Sequence, residues 1–221
     1  MLKSTTGSPT ELTTSECIPS QMDSPRPITY TTITHQPTQE DFDQAIPALP
    51  DTPVQLDGLK EIRIELEHQA TGYVDSIYCR FRDHIATLSL DAMGNIVVQK
   101  LLERGDLQRR LDICELLSPH LAALSCHKNG TWVVQKFISL ASNSSDSRDL
   151  RHLLMSSLQP YLVALLKDQF GNYVVQGCLG LGQCARVLLE CLAKRGVDLA
   201  KTRFGARAMK SVLEPLSSRH Y

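Results

Sequence analysis

The sequence predicts an all-α fold, an α-solenoid of stacked helical units, and three observations carry that prediction. A short pattern recurs four times: GNIVVQKLLE at 94–103, GTWVVQKFIS at 130–139, GNYVVQGCLG at 171–180 and GARAMKSVLE at 205–214. Its glycines are separated by 36, 41 and 34 residues. At that period a single unit is too small to bury its own apolar face and must stack on its neighbours. Within each copy the apolar residues fall at i, i+1, i+4 and i+5. They are Val97, Val98, Leu101 and Leu102, then Val133, Val134, Phe137 and Ile138, then Val174, Val175, Cys178 and Leu179, then Ala208, Met209, Val212 and Leu213. Each set forms one buried stripe at helical period. Composition agrees, with 42% hydrophobic residues but only 5% aromatics, a balance that leans toward helices.

Taken in order, residues 1–55 are rich in Ser, Thr and Pro and hold 2 Lys/Arg against 7 Asp/Glu. Such a segment cannot bury enough apolar surface to offset chain entropy, so a disordered acidic arm is expected. Ser24-Pro25 could accept a phosphate, but the dipeptide is common in any Ser/Pro-rich linker. Residues 45–55 read as an extended Pro-rich lead-in. A capping helix is expected within 56–77, where Leu59, Ile62, Ile64 and Leu66 stand among charges and Ala70-Thr71-Gly72 closes the run.

The repeats occupy 78–221, three complete and one partial. A helix over roughly 73–89 leads into the first pattern, and a helix from Leu107 to Leu117 follows it and stops at Pro119. Leu121 to Cys126 opens the second repeat. The 41-residue step comes from a polar surface loop at 139–149, with a helix from about 149 to 158 after it. Pro160 and YLVALL at 161–166 begin the third repeat, whose last helix is expected from Ala185 to Lys194. Gly177 and Gly180 should fray the end of the third patterned helix, since each costs ~1 kcal/mol in a helix interior. The fourth repeat opens on VDLAKTRF, a very short first helix, and stops before a third.

The other stripe of the pattern carries the chemistry. Asn95 with Gln99 and Asn172 with Gln176 are amides one helical turn apart, with Ile96 and Tyr173 beside them; Thr131 and Gln135 flank Trp132 in the same register. Amides so spaced can reach the edge of a nucleobase while the neighbouring flat side chain covers its face. One isolated pair would be read as solvated polar residues on a helix. Three in register, each beside a Val pair or its equivalent, favour a shared role. Trp132 follows Thr131 directly and is outside the apolar stripe, so it is expected at the rim rather than in the core. In the fourth copy Ala206 offers no hydrogen bond, Arg207 could stack through its guanidinium, and Lys210 is a donor-only cation suited to phosphate.

These residues resemble the Pumilio-homology (PUF) repeat of sequence-specific mRNA-binding proteins, over roughly residues 78–214. RFGARAMKSVLE is most similar to fungal members that also carry an RNA-recognition motif elsewhere. The resemblance implies a right-handed stack of three-helix repeats, typically eight, each reading one base of single-stranded RNA. It implies that Asn95, Gln99, Thr131, Gln135, Asn172 and Gln176 meet base edges, and that Ile96, Trp132, Tyr173 and Arg207 stack. Asn with Gln resembles the uracil combination and Thr with Gln lies nearest the adenine one. With RNA antiparallel to the chain, the expected preference is 5′-U-A-U-3′. The implied role is post-transcriptional control of mRNA through untranslated regions, with regulatory protein partners. The rival reading is a protein-binding α-solenoid scaffold.

Other classes find little support. The net charge is −1, and even residues 56–221, with 21 Lys/Arg against 17 Asp/Glu, lack the strongly basic footprint of a phosphate-driven binder. The seven cysteines form no CxxC pair and mostly fall at apolar helical positions, which suggests reduced thiols and a cytoplasmic protein. No apolar run approaches the length of a membrane span. GLGQCA at 180–185 matches a dinucleotide-binding pattern but follows a helical run rather than a strand. Cys126-His127 lacks partners at metal-ligand spacing. No catalytic constellation stands out, so neither an enzyme, a small-molecule substrate, a cofactor nor a metal is expected.

Overall fold

In a computed structural model of the chain, residues 58–68, 71–143, 147–181 and 184–217 are described, and the arm expected over 1–55 lies outside them. The chain divides into two units, Met1–Thr32 and Ile33–Tyr221, and every described residue belongs to the second. Among its described residues that unit is helical apart from short turns. It opens with α1 (Leu59–His68) and α2 (Thr71–Phe81). The first repeat comprises α3 (Ile85–Leu90), α4 (Gly94–Arg104) and α5 (Leu107–Leu117). The second comprises α6 (Leu121–Ser125), α7 (Gly130–Asn143) and α8 (Arg148–Leu158). The third comprises α9 (Leu162–Lys167), α10 (Gly171–Cys178) and α11 (Cys184–Ala200), and α12 (Arg203–Ser217) follows.

The patterned helices α4, α7, α10 and α12 stand side by side in one row, and α1 packs on α4 at its beginning. Both Val pairs of α4 and α7, that of α10, and Leu101, Leu102, Phe137 and Cys178 are wholly buried. Leu59, Ile62 and Leu66 of α1 are buried against this row, while Ile64 is half exposed on the outward side. Tyr73 of α2 donates a hydrogen bond to Glu65 of α1; its own burial and that carboxylate push the phenol up to about 12.

The recurring glycine has a steric cause. A Cβ on Gly94, Gly130, Gly171 or Gly205 would lie 2.6, 2.8, 2.9 or 2.4 Å from the carbonyl oxygen of Leu88, Leu124, Leu165 or Leu199. In every repeat the backbone of the patterned helix thus presses on the first helix, six residues earlier in the chain. The third helices close each unit from the other side. Arg110 donates to the carbonyls of Leu102 and Glu103 at the end of α4, and Arg151 donates to that of Ala141 near the end of α7. These arginines occupy the same register once the second repeat's insertion is allowed for, so each satisfies carbonyls that helix geometry leaves open.

Three local expectations are corrected. The helix expected over 73–89 is three pieces, because a 3₁₀ turn at Arg82–His84 separates α2 from α3. The expected loop 139–149 is mostly helical. Helix α7 runs through Asn143 and α8 begins at Arg148, with Ser147 buried between them. The break expected after Lys194 is absent, and α11 continues to Ala200. Pro119 and Pro160 lie in 3₁₀ turns that separate a third helix from the next first helix. Lys194 stands at their register and can continue the ladder, so the two helices fuse. Helix α10 has 8 residues where α4 has 11 and α7 has 14, as glycines at 177 and 180 would produce.

Candidate nucleic-acid interface

Each patterned helix is started by the residue three before its glycine. Asp91 Oδ1 accepts from the amides of Met93 and Gly94 at 2.7 Å, and Asp168 Oδ1 from those of Phe170 and Gly171 at 2.8 and 2.7 Å. Thr202 Oγ1 accepts from Gly205 at 3.1 Å. In the second repeat the acceptor is an imidazole: His127 Nδ1 takes the amides of Asn129 and Gly130, both at 3.2 Å. These caps satisfy amides that have no partner inside the helix and fix where the next residues point.

The amide stripe is built on that start. Asn95 Nδ2 donates to the carbonyls of Asp91 and Ala92 at 2.8 and 2.9 Å, and Asn172 Nδ2 to those of Asp168 and Gln169 at 2.7 and 3.0 Å. Both asparagines are buried, as is Thr131. Each receives the next amide along the turn. Gln99 Nε2 donates to Asn95 Oδ1, Gln135 Nε2 to Thr131 Oγ1 and Gln176 Nε2 to Asn172 Oδ1, every one at 3.0 Å. The three glutamines are half-buried and held in one orientation. Each has its carboxamide oxygen and one further N–H uncommitted by these bonds, an acceptor and a donor side by side.

The flat side chains lie beside them. Trp132 is 57% exposed and Tyr173 44%, which places both at the rim as expected. Ile96 is half-buried. Arg207 is exposed and its Cζ lies 5.8 Å from the Tyr173 ring centre, so the matching positions of the third and fourth repeats adjoin. Ala206 and Lys210 are exposed, and Lys210 pairs loosely with Glu214 at 3.7 Å.

Charge beside the row is largely cancelled in its first half. Glu103 bridges Lys100 and Lys136 at 3.0 and 2.6 Å, and Lys100 also reaches Glu67 at 3.4 Å. Burial works to raise the Glu103 carboxyl, but the two ammonium groups outweigh it and hold it below the usual range. The hydrogen bond to Glu103 raises Lys100 in turn. Four charges of zero sum thus tie α1, α4 and α7 together. In the third repeat Gly177 stands where Lys100 and Lys136 stand in the first two.

The cap at His127 escaped sequence reasoning, which weighed it only as a metal ligand. Among the described residues no cluster of three His, Cys, Asp or Glu could hold a metal. The signal was its place three residues before the glycine, matching Asp91 and Asp168. Capping requires the neutral ring, and burial, with Lys128 adding to it, lowers the His127 pKa. A His depressed in the folded state binds its proton more readily unfolded. Its contribution is therefore complete above the ordinary value of ~6.5 and shrinks as pH falls below it. His127→Asn keeps a capping oxygen without the titration. The urea midpoint of the wild type should fall more steeply between about pH 7 and pH 5.5 than that of the variant; parallel curves would dissociate this imidazole from the pH dependence.

Fold and row together define a helical-repeat protein in which three repeats each hold a glutamine by the residue one turn before it. The family model for the Pumilio-family RNA binding repeat matches residues 84–118, 120–145 and 161–184. A Pumilio domain-containing protein of Schizosaccharomyces pombe is 39% identical over 142 residues, 64% of this chain and 13% of that protein. The mRNA-binding protein PUF2 of Saccharomyces cerevisiae is 32% identical over 159 residues, 71% of this chain and 14% of that protein. Among solved structures, the PUM-HD domain of S. pombe Puf1 in complex with RNA aligns with a TM-score of 0.67 at 32% identity, covering 82% of this chain and 51% of that one. The Puf4 RNA binding domain bound to an RNA 3′ UTR recognition sequence aligns at 0.65 and 28%, covering 71% and 48%. The matched repeats of this chain are Pumilio-family repeats. It spans about half of those solved domains and less than a quarter of those two curated relatives.

Proposed function

We propose that the chain binds single-stranded RNA sequence-selectively, one base per repeat, and serves post-transcriptional control of mRNA through untranslated regions in the cytoplasm. The observation that carries the reading is the threefold identity of geometry: Gln99, Gln135 and Gln176 each held at 3.0 Å by the residue one turn before, with Ile96, Trp132 or Tyr173 alongside. The proteins in the two aligned complexes, of the same fold, are bound to RNA. In this reading the base edge meets the glutamine first, and Asn95, Thr131 and Asn172 complete and orient it from behind. Trp132 and Tyr173 stack, contributing ~1–3 kcal/mol per base. At the fourth repeat Arg207 offers a guanidinium that can lie flat on a base or meet phosphate, and Lys210 meets phosphate. Cys114, Cys178, Cys184 and Cys191 are buried thiols, in keeping with a reducing compartment.

The preference follows as U-A-U, with the central adenine at Thr131 and Gln135. Gln176→Glu should turn the third repeat from uracil toward guanine, because a carboxylate accepts both donors of guanine's Watson–Crick edge. Asn172→Ser added to it follows the guanine-type combination but removes the bonds to Asp168 and Gln169, so the single variant is the cleaner probe. A charge-assisted hydrogen bond is worth ~1.5–3 kcal/mol, so the U-to-G preference should swing by about tenfold or more. Competition between UAU and GAU oligonucleotides at fixed salt measures it. Should the folded wild type fail to tell the two apart, the row does not read bases and the scaffold reading takes its place.

A further inference from the structure

The cations of the described helices are unevenly placed. Residues 58–183 hold 13 Lys/Arg and 13 Asp/Glu, whereas residues 184–217 hold seven against three. The excess therefore resides on α11, α12 and the turn between them. Of the three carboxylates there, only Asp198 lies close to a cation, Arg195, at 3.1 Å on the surface. Arg186 and Glu190 are 3.9 Å apart, and the Lys210–Glu214 pair is 77% and 65% exposed, a setting in which an ion pair contributes almost nothing.

On α12 the excess is ordered. Arg203, Arg207 and Lys210 fall at i, i+4 and i+7, one stripe along the helix, opposite the buried Gly205, Ala208 and Val212. All three are exposed. Among the described residues no carboxylate lies within ion-pair distance of Arg203 or Arg207. The stripe is continuous with the amide row, since Arg207 lies over Tyr173. Ala206, between the first two cations, can neither donate to nor accept from a base.

We infer that Arg203, Arg207 and Lys210 form a sequence-blind phosphate track, which holds the backbone of single-stranded RNA as it leaves the row beyond the third repeat. The inference rests on the RNA-binding reading and divides the chain's labour: the first three repeats select bases with their flanking charge cancelled, and the fourth supplies the electrostatic hold. Three bases give little affinity by themselves, and phosphate neutralisation adds some without regard to sequence.

The test uses the whole chain and three RNAs: U-A-U alone, and U-A-U carrying a tail of abasic ribose-phosphates at the 5′ or the 3′ end. Affinity is measured across a potassium chloride series. One tail, on a single side, should raise affinity and steepen the fall of log K with log salt by about 2, since each neutralised phosphate of a single strand contributes ~0.7. The R203Q/R207Q/K210Q variant should lose that gain and that extra slope, with an unchanged helical circular dichroism spectrum. If neither tail strengthens wild-type binding, or the variant keeps the full gain, the track is overturned. Loss of the U-over-G preference in the wild type marks a different failure, that of the base-reading row, and is scored on the untailed RNAs.

Discussion

Phe137→Ala should lower the stability of the helical array by about 3–5 kcal/mol, the cost of emptying a well-packed aromatic site. Phe137 is wholly buried on α7, an inner member of the row, which packs on α4 to one side and α10 to the other. The same register holds Leu101, Cys178 and Val212 in the other repeats, so this is the bulkiest of four equivalent positions. A cavity there borders two repeat interfaces, and in a stacked array each interface term adds to the stability of the whole. An ordinary domain has only ~5–15 kcal/mol in total. The urea midpoint should fall sharply, whereas Leu213→Ala, at a side chain 42% exposed, should stay within about 0.5 kcal/mol. Similar small shifts for both would mean that α7 is not the keystone described.

Gly130→Ala should destabilise by about 1–3 kcal/mol, although alanine is intrinsically better than glycine in a helix by ~1 kcal/mol. The added carbon would lie 2.8 Å from both the Leu124 carbonyl oxygen and its Cδ2. The contact on one side is backbone, so relief requires the start of α7 to lift from α6. That shift would also disturb Thr131 and the hydrogen bond it accepts from Gln135. Gly72→Ala is the matched control. Nothing lies within 4 Å of its Cβ position, near the start of α2, and the change should be neutral or stabilising by up to ~1 kcal/mol. Chemical denaturation of the two variants against the wild type decides it. A stable Gly130→Ala protein would mean that the repeating glycine answers to something other than close packing.

Much of this molecule was legible because its main constraints are local and repeated. The Val pairs announced the buried stripe, and four glycines in register made the period unmistakable. Trp132 could be assigned to the rim from its phase alone. What stayed hidden depends on where the backbone turns. That Asn95 and Asn172 would direct both donors to carbonyls of the preceding loop, leaving the glutamines foremost, follows from loop geometry that no spacing encodes. His127 looked like a stray imidazole because the residues it serves are amides, which every residue but proline carries. The fused helix α11 was missed for a different reason. Its cause is a proline that is not there, and an absent breaker leaves no mark in the pattern.

That fusion bears on how strain travels. Between the first and second repeats, and between the second and third, the chain passes through a short 3₁₀ turn at which one helix axis hands over to another. Such turns are the compliant joints of the stack, where a small change of backbone torsion re-aims everything downstream. Between α10 and α12 no such joint exists in α11, whose 17 residues make a single rod. The third repeat's last helix and the fourth repeat's first therefore turn as one rod, and α12, packed along it, turns with them. A load on the array would be taken up at the two joints upstream and passed on stiffly at the far end.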